Sequence, residues 1–397
     1  LAGIRVVELA TIIAAPLGAS FLADLGATVI KVESPGGDPF RKMADGYGSL
    51  RCNQGKLSVG LDLKKAAARD IVHQIIRDAD IVLHNFRPGV PERLGIDYPT
   101  LAAINPQLIY LSANGYGRKG PGALRPSTHP IPGAAMGGAA RQAGGLPADL
   151  LTVPELREAA RRIMRANEVN PDPNTAMVIA TSALLGLVAR DRTGQGQEIF
   201  GDMFIANAYA NFDDMVSYPD KPTTPQLTPD LKGFNALQRL YPCADGWLFV
   251  SIQQTGEWLE FCRHINRTDL SGRHPAPWHL SAAEDAFLAA QLLEVFAASQ
   301  VASWQQTGLP VVVASNETLA AYFASEAHEN SAVMCEAVHP TLGSYFRHRA
   351  MVRFSRSRVT ESGCVLAAQH TREVMAACGY SDDDIAEAIS EGAAWVA

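Results

Sequence analysis

A chain of 397 residues with 47% hydrophobic and 19% charged residues has the balance of a water-soluble protein of two or three folding units. Its net charge of -7 argues against a nucleic-acid partner, which wants a basic face, and no apolar run reaches the roughly 18 residues of a membrane span. The six cysteines, Cys52, Cys243, Cys262, Cys335, Cys364 and Cys378, are scattered without zinc spacing, so no metal is expected and reduced thiols point to the cytoplasm.

The first elements alternate. Residues 4–9 form an apolar strand, Pro16 marks a helix start, and Leu17, Phe21, Leu22 and Leu25 recur at helical spacing. Gly26 ends that helix and residues 28–33 form the next strand. Strand, helix and strand within some thirty residues imply a parallel crossover. The pattern continues with strands at 57–61, 80–84 and 108–113 and an amphipathic helix at 66–77. The first part therefore reads as a doubly wound α/β domain, although no G-x-G-x-x-G follows its first strand. Residues 115–145 are rich in Gly, Pro and Ala and read as a long loop. A helix with a basic run, Arg157, Arg161, Arg162 and Arg165, occupies 154–167, and an apolar helix 176–190. Pro219, Pro222, Pro225 and Pro229 mark a linker, and a smaller domain runs from Tyr241 to about Ser325. The tail holds a strand-like stretch at 345–354 and an acidic helix at 382–391.

Six segments carry a resemblance in their order. They are Leu1 to Leu9; Leu25 to Glu33 followed by Gly37-Asp38; Asn53 to Lys56 with Leu61-Asp62-Leu63-Lys64; Asn85-Phe86-Arg87-Pro88-Gly89 with Arg93-Leu94-Gly95; Asn114-Gly115-Tyr116-Gly117 with Gly120-Pro121; and Thr193 to Gln197. In this order the chain resembles the family III CoA-transferases, the group that also holds carnitine-CoA transferases, formyl-CoA transferases and 2-methylacyl-CoA racemases. The resemblance implies a Rossmann-like, doubly wound CoA-binding domain over 1–218, completed by 326–397. It also implies a linker and smaller α/β domain over 219–325, and an interlocked homodimer.

Coenzyme A needs cations for its phosphates, a groove for adenine and a channel for its thiol arm. The resemblance gives Lys64, Arg93 and Arg41 to the phosphates. Asn85 and Phe86 line the path of adenine and pantetheine, with Ile12, Ile13 and Ala14 beside it, and Leu61 is a further cofactor-binding residue. Lys and Arg suit phosphate by charge and donor geometry, whereas without the resemblance they read as solvated surface charge.

The resemblance places a covalent nucleophile at Asp172, within Asn170 to Met177 and just before the apolar helix. A carboxylate there can attack an acyl-CoA thioester and carry CoA to an incoming carboxylic acid. Asp before a helix also serves as a simple N-cap or turn residue. His129 lies where the family's racemases carry a His that works with the later Asp on an α-proton. Pro130 follows it in place of the racemases' Asp, and a structural loop histidine is the plain alternative. Other departures are the inserted 138–167 segment, Ile13 in place of a Gln common in the transferases, and the missing glycine-rich loop of formyl-CoA transferases. Three readings follow: CoA transfer between an acyl-CoA and a carboxylic acid, racemisation by His129 and Asp172, or a non-catalytic CoA-binding half of a fused pair.

Overall fold

The computed structural model describes residues 1–43, 46–128, 131, 135–136, 140, 142–145, 152–165, 171–210, 216–221, 227–228, 230–273, 280–314, 321 and 333–397, the side chains at 163–165 excepted. In chain order the first elements are β1 (Arg5–Leu9), α1 (Ala14–Asp24), β2 (Thr28–Glu33), α2 (Tyr47–Cys52), β3 (Lys56–Leu61), α3 (Ala66–Ile76) and β4 (Ile81–His84). There follow α4 (Val90–Leu94), α5 (Tyr98–Ile104), β5 (Ile109–Asn114), α6 (Val153–Arg165), α7 (Pro171–Thr193), β6 (Gln197–Asp202) and α8 (Met203–Ala210). The later part holds β7 (Gly233–Asn235), β8 (Gln238–Pro242), β9 (Trp247–Ser251), α9 (Thr255–His264), α10 (Ala282–Ala297) and β10 (Val311–Ala314). It closes with β11 (Met334–His339), β12 (Gly343–His348), α11 (Thr371–Ala377), α12 (Asp382–Ser390) and β13 (Ala394–Trp395).

The chain divides into two compact units. The first comprises Leu1–Ala135, Glu168–Met215 and Glu326–Ala397. Its sheet has the order β13-β3-β2-β1-β4-β5-β6, parallel throughout except for β13, which runs against β3. Crossover helices cover both faces, so the strands are buried on two sides and read as nearly continuous apolar runs. On one face Ile71, Val72, Ile75 and Leu101 of α3 and α5 pack on Val7, Val82 and Tyr110. On the other Ala15, Ala19 and Leu22 of α1 and Ile179, Ala183 and Leu187 of α7 pack on Val6, Leu83, Leu111 and Ala113.

Helix α7 is long and apolar enough by composition to cross a membrane, yet here it is a core helix packed against α1, β5 and β6. It begins at Pro171, earlier than the 176 expected from periodicity. Pro171 and Pro173 both fall in the first turn, where the backbone N–H groups have no intrahelical acceptor and proline is therefore tolerated. The expected strand at 345–354 stops at His348, and the backbone from Arg349 onward is irregular. There the Ala350 N–H bonds the Glu361 carboxylate at 3.0 Å instead of continuing the ladder.

The second unit comprises Met136–Asn167 and Val216–Ser325. Its antiparallel sheet has the order β10-β9-β8-β7. Trp258 and Phe261 of α9, Phe296 of α10 and Trp304 fill its core, with ring centroids 4.7–6.0 Å apart. The capping boxes Gln254/Glu257 and Ser281/Glu284 start α9 and α10.

Candidate active site

In the first unit β2 lies on one side of β1 and β4 on the other, so the strand order reverses between β1 and β4. Open α/β sheets hold ligands in the crevice at the carboxyl ends of the strands at such a reversal. The loop from β1 into α1 crosses this ground. Asn85, just past the end of β4, reaches over to it: the Thr11 N–H donates to Asn85 Oδ1 at 3.1 Å, and Asn85 Nδ2 donates to the Thr11 carbonyl at 2.8 Å. The Asn85 amide thus ties the two loops across the crevice.

The next residue, Ile12, has φ of 71°, a left-handed conformation that a β-branched residue rarely adopts. Such a backbone costs about 1–3 kcal/mol and persists only where its surroundings impose it. Asp38 imposes it: the Ile12 N–H lies 3.1 Å from its Oδ1 and 3.2 Å from its Oδ2. Asp38 is held in turn by Lys31 at 2.9 Å and by its own N–H, which donates to Glu33 at 2.7 Å.

Lys31 and Glu8 are buried neighbours on β2 and β1, in direct register, and meet at 2.7 Å. The other Glu8 oxygen takes Lys56 at 2.5 Å, and Lys56 also donates to the carbonyls of Pro16 and Cys52 at 2.7 and 2.6 Å. Burial presses the Lys31 ammonium down, but the charges of Glu8, Asp38 and Glu33 overcome it and leave its pKa raised. Lys56 ends lowered, because burial leads and its share of Glu8 does not compensate. A fully buried charge network therefore underlies the loop and the first turn of α1.

Asp172 enters from α7. Helices α1 and α7 both start at the carboxyl edge and run back side by side. Gly18 sets their separation: a Cβ there would lie 2.9 Å from the Ala176 carbonyl oxygen and 2.9 Å from Ile179 Cγ2. Leu17, Phe40, Cys52 and Ala176 form a small core between the two starts, with Ile12 and Ile13 packed on it. Asp172 sits in the first turn of α7, 4% exposed, one residue inside the helix rather than at its N-cap. The α1 start carries no side-chain cap on Ile13. Two helix N-termini thus face the same ground, and their backbone N–H groups favour negative charge arriving or developing there.

The other candidate residues divide. Lys64, after β3, and Arg93, in α4, are exposed at loops off the carboxyl edge. Phe86 is half-buried against the core and stacks on His84 at 5.5 Å. Ile12 and Ile13 are half-buried and Ala14 is 9% exposed. Leu61 is fully buried, side chain and backbone alike, and pairs with Ala394 in the sheet. Arg41 is spent on the fold: it grips both Glu33 oxygens at 2.9 and 2.7 Å and the Val365 carbonyl at 2.7 Å. Burial raises the Glu33 carboxyl, but the hydrogen bonds and charge of Arg41, with Lys31 and Ser58, hold it at about 2. His129 lies outside the described residues. No group of His, Cys, Asp and Glu among the described residues is disposed to hold a metal ion.

Sequence reasoning missed Glu8, Lys31, Lys56 and the hinge role of Asp38. Their only sequence signal is charge inside apolar strand patterns. It also missed Asp202 at the end of β6, a buried carboxyl raised by burial that caps α8 through the Ile205 N–H at 2.8 Å.

These features define an α/β protein with a ligand crevice at a strand-order reversal and a buried aspartate in the first turn of a core helix. Residues 1–363 match the model of CoA-transferase family III, and the chain belongs to that family. It is 35% identical over 219 residues to an acyl-CoA transferase of Fusarium pseudograminearum, covering 51% of this chain and 45% of that protein. It is 30% identical over 282 residues to a succinate–glutarate CoA-transferase of Agrobacterium fabrum, covering 66% and 65%. The chain thus spans about half the length of the first relative and just under two thirds of the second. A crystal structure of a CaiB/BaiF family protein from Brucella suis superposes with a TM-score of 0.72 at 26% identity, covering 95% of this chain and 98% of that one.

Proposed function

We propose that the chain moves CoA from an acyl-CoA to a carboxylic acid with Asp172 as the covalent nucleophile. The observation that carries this reading is the buried Asp172 in the first turn of α7, the helix that packs against α1 at Gly18. An Asp172 oxygen attacks the thioester carbonyl, the C–S bond breaks, and CoA leaves as the thiolate with a mixed anhydride on Asp172. The thiolate then attacks the Asp172 carbonyl carbon and releases the donor's carboxylate, leaving CoA on the enzyme as a thioester. The acceptor carboxylate attacks that thioester, and the freed thiolate attacks the acceptor's acyl carbon. A new acyl-CoA departs and the Asp172 carboxylate is restored. No proton or electron is gained or lost overall. The N–H groups at the two helix starts are disposed to take up the oxyanion charge of each addition.

Lys64 and Arg93 serve the CoA phosphates in this reading. Asn85 and Asp38 act as positioning residues for the Thr11–Ala14 loop, and Arg41 supports them through Glu33. A homodimer completes the molecule: the outer face of α7 leaves Met177, Leu185 and Val188 exposed, continued by Ile205 and Tyr209 of α8.

The test is incubation with acyl-CoAs and free acids, read by mass spectrometry for new CoA esters. The Agrobacterium relative makes succinyl-CoA with glutarate the first pair to try. Hydroxylamine trapping followed by peptide mapping should find Asp172 modified after acyl-CoA alone. Asp172→Asn should lose transfer by orders of magnitude while still binding CoA. An unmodified Asp172 in a protein that exchanges the α-proton of a 2-methylacyl-CoA with deuterated water would replace this reading with racemisation.

A further inference from the structure

The segment around the end of β12 gathers positive charge in an acidic protein. From Ala337 to Thr371 the chain holds five arginines, Arg347, Arg349, Arg353, Arg356 and Arg358, and a single carboxylate, Glu361, while the whole chain stands at -7. Arg347 belongs to the fold. It is 4% exposed, and its guanidinium donates to the His348 carbonyl at 2.9 Å, the Ser362 carbonyl at 2.8 Å and the Asp24 carboxylate at 2.5 Å.

The other end of the segment is fastened as well. The Thr360 N–H donates to the Asp24 carbonyl at 2.7 Å, and the Gly55 N–H to the Gly363 carbonyl at 3.0 Å. Asp24 is the last residue of α1, which runs back from the carboxyl edge of the sheet, and Gly55 directly precedes β3. The segment is therefore held at the amino edge of the sheet, the far end from the crevice between β1 and β4.

Between these anchors lies a cleft of about 550 Å³, lined by Arg349, Arg353, Phe354, Ser357, Arg358 and Glu361. Three guanidinium groups meet one carboxylate there. Both Glu361 oxygens are engaged, one by Arg349 Nη1 at 2.9 Å and the other by the Ala350 N–H at 3.0 Å. Arg358 is exposed and makes no hydrogen bond or ion pair among the described residues. Phe354 is 50% exposed and gives the cleft an aromatic wall. Like charges drawn into one cleft concentrate a positive field that an anion relieves. The planar fork of arginine matches phosphate oxygens, and clustered arginines are a recurrent phosphate-recognition device. An exposed aromatic face beside them takes a base by stacking. The volume falls in the usual range for ligand pockets, roughly 300–1,000 Å³, and one phosphate would leave most of it empty.

We propose that this cleft binds a nucleoside diphosphate or triphosphate, with its phosphates on the arginines and its base on Phe354. The site is distinct from the CoA crevice, which lies at the other edge of the sheet, and it stands whatever reaction that crevice performs.

The test is calorimetric titration of the full chain with ADP, adenosine and pyrophosphate, with excess CoA present to occupy the crevice. ADP should bind saturably at one site per chain, and more weakly as salt rises, because exposed charges are screened. Adenosine lacks the phosphates and should not bind. Pyrophosphate lacks the base and should bind about ten-fold more weakly, the worth of one stacked ring. Arg358→Met should weaken ADP binding about ten-fold or more, the worth of a charged hydrogen bond. Arg358→Lys keeps the charge without the fork and should fall between that variant and wild type. Phe354→Ala should bring ADP to the affinity of pyrophosphate. Arg93→Ala, at the other edge of the sheet, should bind ADP as wild type does. No saturable ADP binding, binding unmoved by Arg358→Met, loss of it in Arg93→Ala, or pyrophosphate binding as tightly as ADP would each overturn the assignment.

Discussion

Gly18→Ala is the sharpest probe of how the fold positions the proposed nucleophile. Alanine in a helix gains about 1 kcal/mol over glycine from backbone entropy, which on its own predicts a more stable protein. Against it stands the added Cβ, 2.9 Å from the Ala176 carbonyl oxygen, 2.9 Å from Ile179 Cγ2 and 3.1 Å from Ile179 Cβ. Overpacking costs typically about 1–3 kcal/mol. Two contacts under 3 Å, one of them to backbone that cannot rotate away, place this site in the upper part of that range. The clash therefore wins, with a net loss of about 1–2 kcal/mol.

The relief available is for α1 and α7 to move apart by a few tenths of an ångström. That would shift the start of α1 relative to Asp172 and lower the rate of Asp172 acylation by about ten-fold, since misplacement by a full ångström costs about a hundred-fold. Gly186→Ala is the control on the same helix. Its Cβ would meet Ile109 Cγ2 at 2.7 Å and Ile199 Cδ1 at 2.9 Å, neither of them backbone of α1, and it lies nearly four turns from Asp172 by the helical repeat of about 3.6 residues. Urea denaturation and rapid-quench acylation measure both variants. A Gly18→Ala protein more stable than wild type, or a Gly186→Ala protein equally slow in acylation, would refute the close helix pairing as the determinant.

Other expectations follow from the buried charges. Glu33 is depressed from 4.5 to about 2, so its contribution, about 3 kcal/mol, is full above pH 4.5 and is lost as pH falls through 2. Arg41→Met should lower stability near neutrality and flatten that acid limb in urea titrations run at stepped pH. His84, lowered from 6.5 to about 4, favours its neutral form in the fold, so a further contribution of about 3 kcal/mol disappears as pH drops from 6.5 to 4. A His84→Phe chain should show no loss of stability specific to that window. Asp38→Asn removes one of the two carboxylates in contact with Lys31 and weakens the hold on Ile12. Breaking a buried pair costs about 3–5 kcal/mol, and circular dichroism melts should show a correspondingly lower midpoint. For the proposed homodimer, Leu185→Asp on the outer face of α7 should leave a monomer in sedimentation velocity, and a species unchanged from wild type would remove this face from the contact.

The parallel strands were legible because two-sided burial leaves unbroken apolar runs, and the crossover helices because their apolar positions recur with helical spacing. The start of α7 was not, because Pro171 and Pro173 read as breakers until it is known that both fall in the first turn, where a missing N–H costs nothing. The end of β12 was hidden because the Ala350 N–H goes to the Glu361 carboxylate, eleven residues further on, which no strand pattern reveals. Asp172, Lys64 and Arg93 were singled out through an ordered set of short segments. The Glu8–Lys31–Lys56–Asp38 network was not, because each charge alone looks like a solvated residue and only strand register makes them neighbours. Arg41, read from the segments as a phosphate ligand, makes hydrogen bonds to Glu33 and Val365 that no segment pattern announces.

The central sheet is closed on one side by β13, whose Trp395 sits on Gly60 of β3 and donates its indole N–H to the Glu33 carbonyl at 3.2 Å. During synthesis β3 therefore leaves the ribosome long before the strand that covers it. At the usual elongation rates of about 5–20 residues per second, the gap is on the order of half a minute. Throughout that interval the nascent chain offers a bare edge of backbone donors and acceptors to any neighbouring strand. Ribosomes queued on one message, each carrying the same uncovered β3, would bring such edges together. Slow translation of the codons for residues 326–397 should thus raise the yield of insoluble chain without altering the stability of the protein once finished.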